Sequence, residues 1–358
     1  MALAAHLRFE HHLVPTNREP ERRRVLDALA AGVPVDPAFT FAPLDPAAGD
    51  RVRALQDEVD PAASPWHAIL ADDLAVTARL ADAVAGRDPG GITAATVARY
   101  GVPTDELVAA AEEVLATTPP GDGGGPTVDA ATAAALLQAA ADAVGLDGWR
   151  VVASDGMSAR MDVIGRDRTI RVRRGSRYTD HELRRLAVHE VGTHAARAAN
   201  GSRQPVALLG VLSDADLATE EGLAVWHEQR HGLSDPDVMR TYALRVLAAS
   251  WALEQPFSAV LAGLAAHTDP EAAFDVVARA KRGLPDPSVP GAHVKDQVYL
   301  GGLRAVGAHL RAHPDDHDLL LAGCVGLPRL DLVRALADDG TLVPPQVRPD
   351  AVARAVLG

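Results

Sequence analysis

A single cysteine, Cys324, stands among 358 residues, so no disulfide can form within the chain. It closes the apolar run Leu319-Leu320-Leu321-Ala322-Gly323-Cys324, where a buried, inert thiol is expected. Lysine and aromatic residues are scarce, while Ala, Arg, Asp, Pro and Gly are heavily used, which reads as the coding bias of a GC-rich bacterium. Acidic residues outnumber basic ones by 48 to 35, giving a formal net charge of −13. That balance argues against non-specific binding to nucleic acid, whose phosphates demand a positive surface. No apolar run reaches the ~18–20 residues that a membrane span requires. The start, Met1-Ala2-Leu3-Ala4-Ala5-His6, lacks the basic end and long apolar core of a signal peptide. A cytoplasmic location with no membrane partner is the expectation.

What remains is a chain long enough to bury one large core or two smaller ones. Its hydrophobic fraction of 47% is ordinary for a globular protein. Helical spacing dominates residues 1–117, interrupted over 33–46, where four prolines require an extended path. Thr118-Pro119-Pro120-Gly121-Asp122-Gly123-Gly124-Gly125-Pro126 reads as a linker or a surface loop. Residues 127–358 then form the expected catalytic region. Three short β-like runs, at 149–153, 160–164 and 169–173, predict a small antiparallel sheet. A helix follows, opened by Thr179 as N-cap with Glu182 three residues on, and stopped by Asn200-Gly201 in a left-handed turn. Beyond it the pattern is almost wholly helical, so the fold class is α+β and predominantly α.

The helix after the sheet carries His189-Glu190-Val191-Gly192-Thr193-His194, an H-E-x-x-x-H pattern. Two imidazoles can share one zinc ion, and the Glu between them can act as a general base on water. The spacing is i and i+5, however, which an ideal α-helix sets ~140° apart. The sequence therefore predicts a wide, π-type turn between His189 and His194, with Gly192 inside it. A third ligand must come from elsewhere. Thr219-Glu220-Glu221-Gly222-Leu223-Ala224 offers two acids on the next helix, beside a glycine that allows close helix approach. Either glutamate could serve.

The segment His189-Glu190-Val191-Gly192-Thr193-His194, with Asn200-Gly201 and Gln204-Pro205 after it and Thr219-Glu220-Glu221-Gly222-Leu223-Ala224 beyond, resembles the tyrosine carboxypeptidase family. That group includes microtubule-associated members and bacterial proteins labelled by a Q-E-G-L-A motif, some as modulators of flavohaemoglobin expression. The likeness continues through Arg279-Ala280-Lys281-Arg282-Gly283-Leu284 and Lys295-Asp296-Gln297-Val298-Tyr299-Leu300-Gly301-Gly302. It implies a zincin-like metallopeptidase with one Zn2+ that trims peptide or protein C-termini, releasing Tyr or Phe. The family label has Gln at position 220 and shares the next Glu, which implies Glu221 as third ligand after His189 and His194. Glu190 becomes the general base. Microtubule substrates are not carried over to a chain of bacterial composition.

A carboxypeptidase needs a cation for the substrate's terminal carboxylate. Arg282 and Lys295 lie in the resembling blocks and are assigned that role. Tyr299, one helical turn after Lys295, is assigned to the oxyanion or the carboxylate, and Gln204 to the substrate backbone. The competing expectation is an inactive metal-binding regulator, which would have no use for Glu190. His227 and His231 are expected to be solvated.

Overall fold

The computed structural model describes residues 9–121, 125, 127–155, 157 and 159–357. Residues 122–124 and 126 of the expected linker lie outside that set. The described part is predominantly helical with small sheets, and none of its helices is long and apolar enough to cross a membrane. It divides into two units, each assembled from separated stretches. The chain leaves the first unit at Pro119, returns for Met239–Gln297, and leaves again at Val298. A single block over 127–358, as the sequence suggested, is therefore interrupted by a helical return to the first unit.

Among the described residues, the first unit is helix and loop, with one isolated β-bridge between Pro15 and Phe41. Arg18–Ala30, Ala48–Asp57, Pro65–Ala85, Pro89–Tyr100 and Asp105–Thr117 are joined by Phe257–Leu264, Pro270–Ala280 and most of Pro236–Ala252. Local chemistry sets the starts. Ser64, Thr104 and Asp269 each accept a hydrogen bond from the backbone N–H three residues on, and proline follows Ser64 and Asp269 directly. Residues 33–46 form no helix, as their prolines require. Leu13, Leu80, Val84, Ile92 and Leu284 fill one core, and Phe39 meets Phe257 and Phe274 edge-on nearby. Lys281 is wholly buried there and gives its three protons to the carbonyls of Ala252, Gln255 and Val289.

Among the described residues, the second unit holds all the strands. β1 (Val128–Asp129) pairs antiparallel with β5 (Arg177–Tyr178). β2 (Arg150–Ser154), β3 (Met161–Ile164) and β4 (Thr169–Arg173) form a sheet in the order β2-β4-β3. The β3–β4 pair is antiparallel, but β2 and β4 are parallel, which corrects the wholly antiparallel expectation. The reason is topological. The chain passes over one strand position after β2, and the hairpin β3–β4, turned through Arg168 at φ +46°, places β4 in the gap. Ile170 and Val172 point inward from β4 and pack with Leu137 of the helix Ala130–Ala143 and with Leu183 and Val191. Arg171, on the opposite face, pairs with Asp162 of β3.

The helix that follows runs through residues 180–201. Asp180–Leu186 is α, Ala187–Ala195 is π, and Ala196–Gly201 is α again. Thr179 caps its start by accepting from Glu182 N. Its end differs from the expected left-handed stop, since neither Asn200 nor Gly201 has a positive φ. Gly201 is required for space, because a Cβ there would lie 1.9 Å from Leu209 O. Asn200, 1% exposed, donates to the carbonyls of Leu321 and Val347 and accepts from the backbone N–H groups of Gln346 and Val347. It ties three segments together where a simple stop was expected.

Candidate metal centre

The π-helix Ala187–Ala195 spans both histidines of the H-E-x-x-x-H pattern. A turn one residue longer than α brings i+5 back over i. The His189 and His194 ring centroids accordingly stand 4.8 Å apart, at an interplanar angle of 78°. Thr193 reinforces the register from its side chain. Its hydroxyl donates to Val188 O, five residues back, at 3.2 Å. Gly192 serves packing here. A Cβ on it would press on Pro349 and Val352 of the helix Pro349–Leu357, which lies against the wide turn.

The helix Leu217–Arg230 crosses this one in the opposite direction. Arg185 and His189 meet Glu228 near its end, Thr193 meets His227, and His194 and Arg197 meet Glu220 near its start. Gly222 governs how this helix is held on its other side. A Cβ on Gly222 would lie 2.1 Å from the carbonyl carbon of Gly302, and one on Gly302 would lie 1.8 Å from Ala218 O. The helix Val298–Ala312 thus packs backbone on backbone against the glutamate helix.

Glu221 completes the site. Its Oε2 lies 3.5 Å from His189 Nε2 and 3.7 Å from His194 Nε2. These gaps suit three donors around one ion, because tetrahedral zinc with bonds of ~2.0–2.2 Å sets its ligands roughly 3.3–3.6 Å apart. Glu221 Oε2 is buried and has no hydrogen-bond partner among the described residues, which fits a donor set suited to a cation. No other group of His, Cys, Asp and Glu among the described residues gathers its donor atoms so closely.

Electrostatics point the same way. Burial opposes a charge on His189, yet the carboxylates of Glu221 and Glu228 outweigh it and lift the imidazole to about 9. His194 is also raised, since Glu220 and Glu221 overcome its burial. Burial works against the charge of Glu221, but the two histidines hold its carboxyl well below the usual carboxylate range. The cluster is therefore acid-rich and favours a positive charge at its centre. Glu190 is 6% exposed, and burial raises its carboxyl above the usual range against the pull of His189 and His194.

The other assigned residues are placed as follows. Glu220, the alternative ligand, points to His194 Nδ1 at 2.7 Å and to Arg197 rather than to the Nε2 side. Gln204, expected at the substrate, is instead buried and committed to backbone: it donates to Ala322 O and Val343 O and accepts from Val343 N. Arg282, in the first unit, donates to Asp296 at 2.9 Å. Lys295 lies in the 3-10 turn Val294–Gln297, before the helix that carries Tyr299 begins, so the two do not share one helical face. His227 is fully buried, against expectation, between Thr193 Oγ1 and His317 Nε2, each at 2.8 Å. His231 is half-buried, 3.2 Å from Asp350. Glu228, Arg185 and Arg197 were not anticipated. The signal in the sequence was Glu228 seven residues after Glu221, two helical turns along one face.

A family profile described as "Microtubule-associated tyrosine carboxypeptidase" matches residues 28–356. The human protein named "Putative tyrosine carboxypeptidase MATCAP2" is 33% identical over 163 residues, 44% of this chain and 31% of that protein. The mouse protein named "Microtubule-associated tyrosine carboxypeptidase 1" is 37% identical over 138 residues, 37% of this chain and 28% of the relative. The match thus spans about a third of these relatives' length. With the profile covering nearly the whole chain, the protein belongs to the microtubule-associated tyrosine carboxypeptidase family.

Proposed function

We propose that this chain is a zinc-dependent metallocarboxypeptidase of zincin-like type, which hydrolyses the last peptide bond of peptide or protein C-termini and releases Tyr or Phe. The observation that carries it is the buried Oε2 of Glu221, without a hydrogen-bond partner among the described residues and facing the Nε2 atoms of two histidines on a π-turn. His189, His194 and Glu221 would hold one Zn2+. When bound, zinc would supply Lewis acidity, polarising the scissile carbonyl and making water more acidic.

The remaining work falls to the chain. Glu190 takes a proton from the attacking water as oxygen bonds to the carbonyl carbon, and returns it to the leaving amine as the C–N bond breaks. Its raised pKa makes it a stronger base toward water than an exposed carboxylate would be. Arg282 and Lys295 are proposed for the substrate's terminal carboxylate, and Tyr299 for the oxyanion or the same carboxylate. A cytoplasmic setting fits the absence of any need for disulfides.

The test is metal analysis of purified protein, followed by mass spectrometry of a peptide library with varied C-termini. Zinc near one equivalent, with single residues lost from free-acid peptides ending in Tyr or Phe, is expected. C-terminally amidated peptides should resist. Glu190→Gln should bind zinc and lose about 10²–10⁴ in rate, the usual worth of a general base. Bound zinc with no library member cut would favour a metal-binding regulator and sink the enzyme assignment.

A further inference from the structure

The metal-centre reading leaves unexplained why two more glutamates and two arginines are buried around the histidines. His189 Nδ1 lies 2.6 Å from Glu228 Oε1, and His194 Nδ1 lies 2.7 Å from Glu220 Oε1. Glu228 and Glu220 are 2% and 1% exposed, and charged side chains so buried are costly without a partner. Each has its own cation. Arg185 donates to Glu228 Oε1 at 2.7 Å, and Arg197, itself 0% exposed, donates to Glu220 Oε2. Arg197 is fixed in turn by the carbonyls of Leu320, at 2.8 Å, and Val325, at 2.6 Å.

We propose that Glu228 and Glu220 are positioning residues, each the middle rung of an Arg–Glu–His ladder that presents one histidine Nε2 to the metal. The inference rests on the zinc reading above. A carboxylate at Nδ1 accepts only, so the proton of the neutral ring must sit on Nδ1 and the lone pair on Nε2. Both rings are thereby set in the tautomer that a metal on the Glu221 side requires. Each ladder sums to no net charge, one arginine against one glutamate. The ladders therefore orient the ligands without neutralising the cation, and among the ligands only Glu221 offsets its charge. Position 220, where the family label carries Gln, is Glu in this chain, and Arg197 is the cation that pairs with it.

The experiment has two parts. First, ¹⁵N-histidine NMR of the zinc-loaded wild-type protein reads the ring tautomers directly, with no variant involved. Protons on Nδ1 and metal on Nε2 at both residues are expected. Metal on Nδ1 at either residue overturns the proposal while leaving zinc binding intact. Second, zinc affinity is measured by chelator competition for Glu228→Ala, Glu220→Ala, Glu228→Gln and Glu220→Gln, with circular dichroism of the metal-free proteins as the folding control. The alanine variants should lose about 10–100-fold in affinity. The glutamine variants keep an acceptor at Nδ1 and should recover part of that loss. Folded alanine variants with wild-type affinity would overturn the ladders. A wild-type protein that binds no zinc would sink the metal reading itself, a separate and recognisable result.

Discussion

Asp296 shows how a single residue can set an acid limit on the first unit. It is 3% exposed and pairs with Arg279 and Arg282. Burial alone would raise its carboxyl, but the fields of Arg279, Arg282 and Arg245 win and hold it well below the usual range. Its folded pKa is thus lower than its unfolded one, so its stabilisation is complete above the unfolded value near ~3.9 and drains away as pH falls toward the folded value. Urea midpoints should fall between about pH 5 and pH 3, and Asp296→Asn, though less stable at pH 7, should show a flatter slope there. Parallel slopes for the two proteins would reject this account. Residue-scale legibility in the sequence was uneven for a physical reason. His189, Glu190 and His194 could be read because chelation is a short-range requirement written in local spacing. Asn200, Gln204 and His227 could not, since each satisfies groups more than thirty residues away in sequence.

At the scale of elements, the π-helix and the glycine crossing matter most. The wide turn was legible because a five-residue spacing has no other way to bring two rings together. The contact of Gly222 with Gly302 was legible only in part. The sequence offered a glycine beside the acids, but not the helix that would use it. Gly222→Ala should therefore push the glutamate helix and the helix Val298–Ala312 apart, because the added methyl would fall on backbone that cannot rotate away. The expected result is a loss of about 1–3 kcal/mol, typical of overpacking, with weaker zinc affinity because the proposed ligand Glu221 is the adjacent residue. Thermal melts and chelator competition check both. Unchanged zinc affinity in a folded variant would show that the crossing does not position the ligand. The sheet escaped the sequence for a similar reason, since the parallel pairing of β2 with β4 depends on which gap the hairpin fills.

For the whole molecule, the two units share the chain unequally. The proposed metal ligands, Glu190 and both ladders lie in the second unit, on stretches before Val238, while Arg282 and Lys295 belong to the returning segment of the first. That return could not be read from helical periodicity, which looks alike in either unit. Metal that binds only folded protein adds RT ln(1 + [Zn]/Kd) to stability, ~4.1 kcal/mol at a thousandfold excess over Kd. Chelation should lower the melting temperature by several degrees and raise amide exchange across 180–230. A melt indifferent to chelator would mean that no ion is held in the folded state.

The opposed course of the two site helices has a mechanical consequence. Arg185 and Glu228 sit at one end of the crossing, Arg197 and Glu220 at the other. Sliding one rod along its axis would unhook both ends at once, because neither can follow without the other. Assembly of the two ends should thus be cooperative: docking at one brings the other into register.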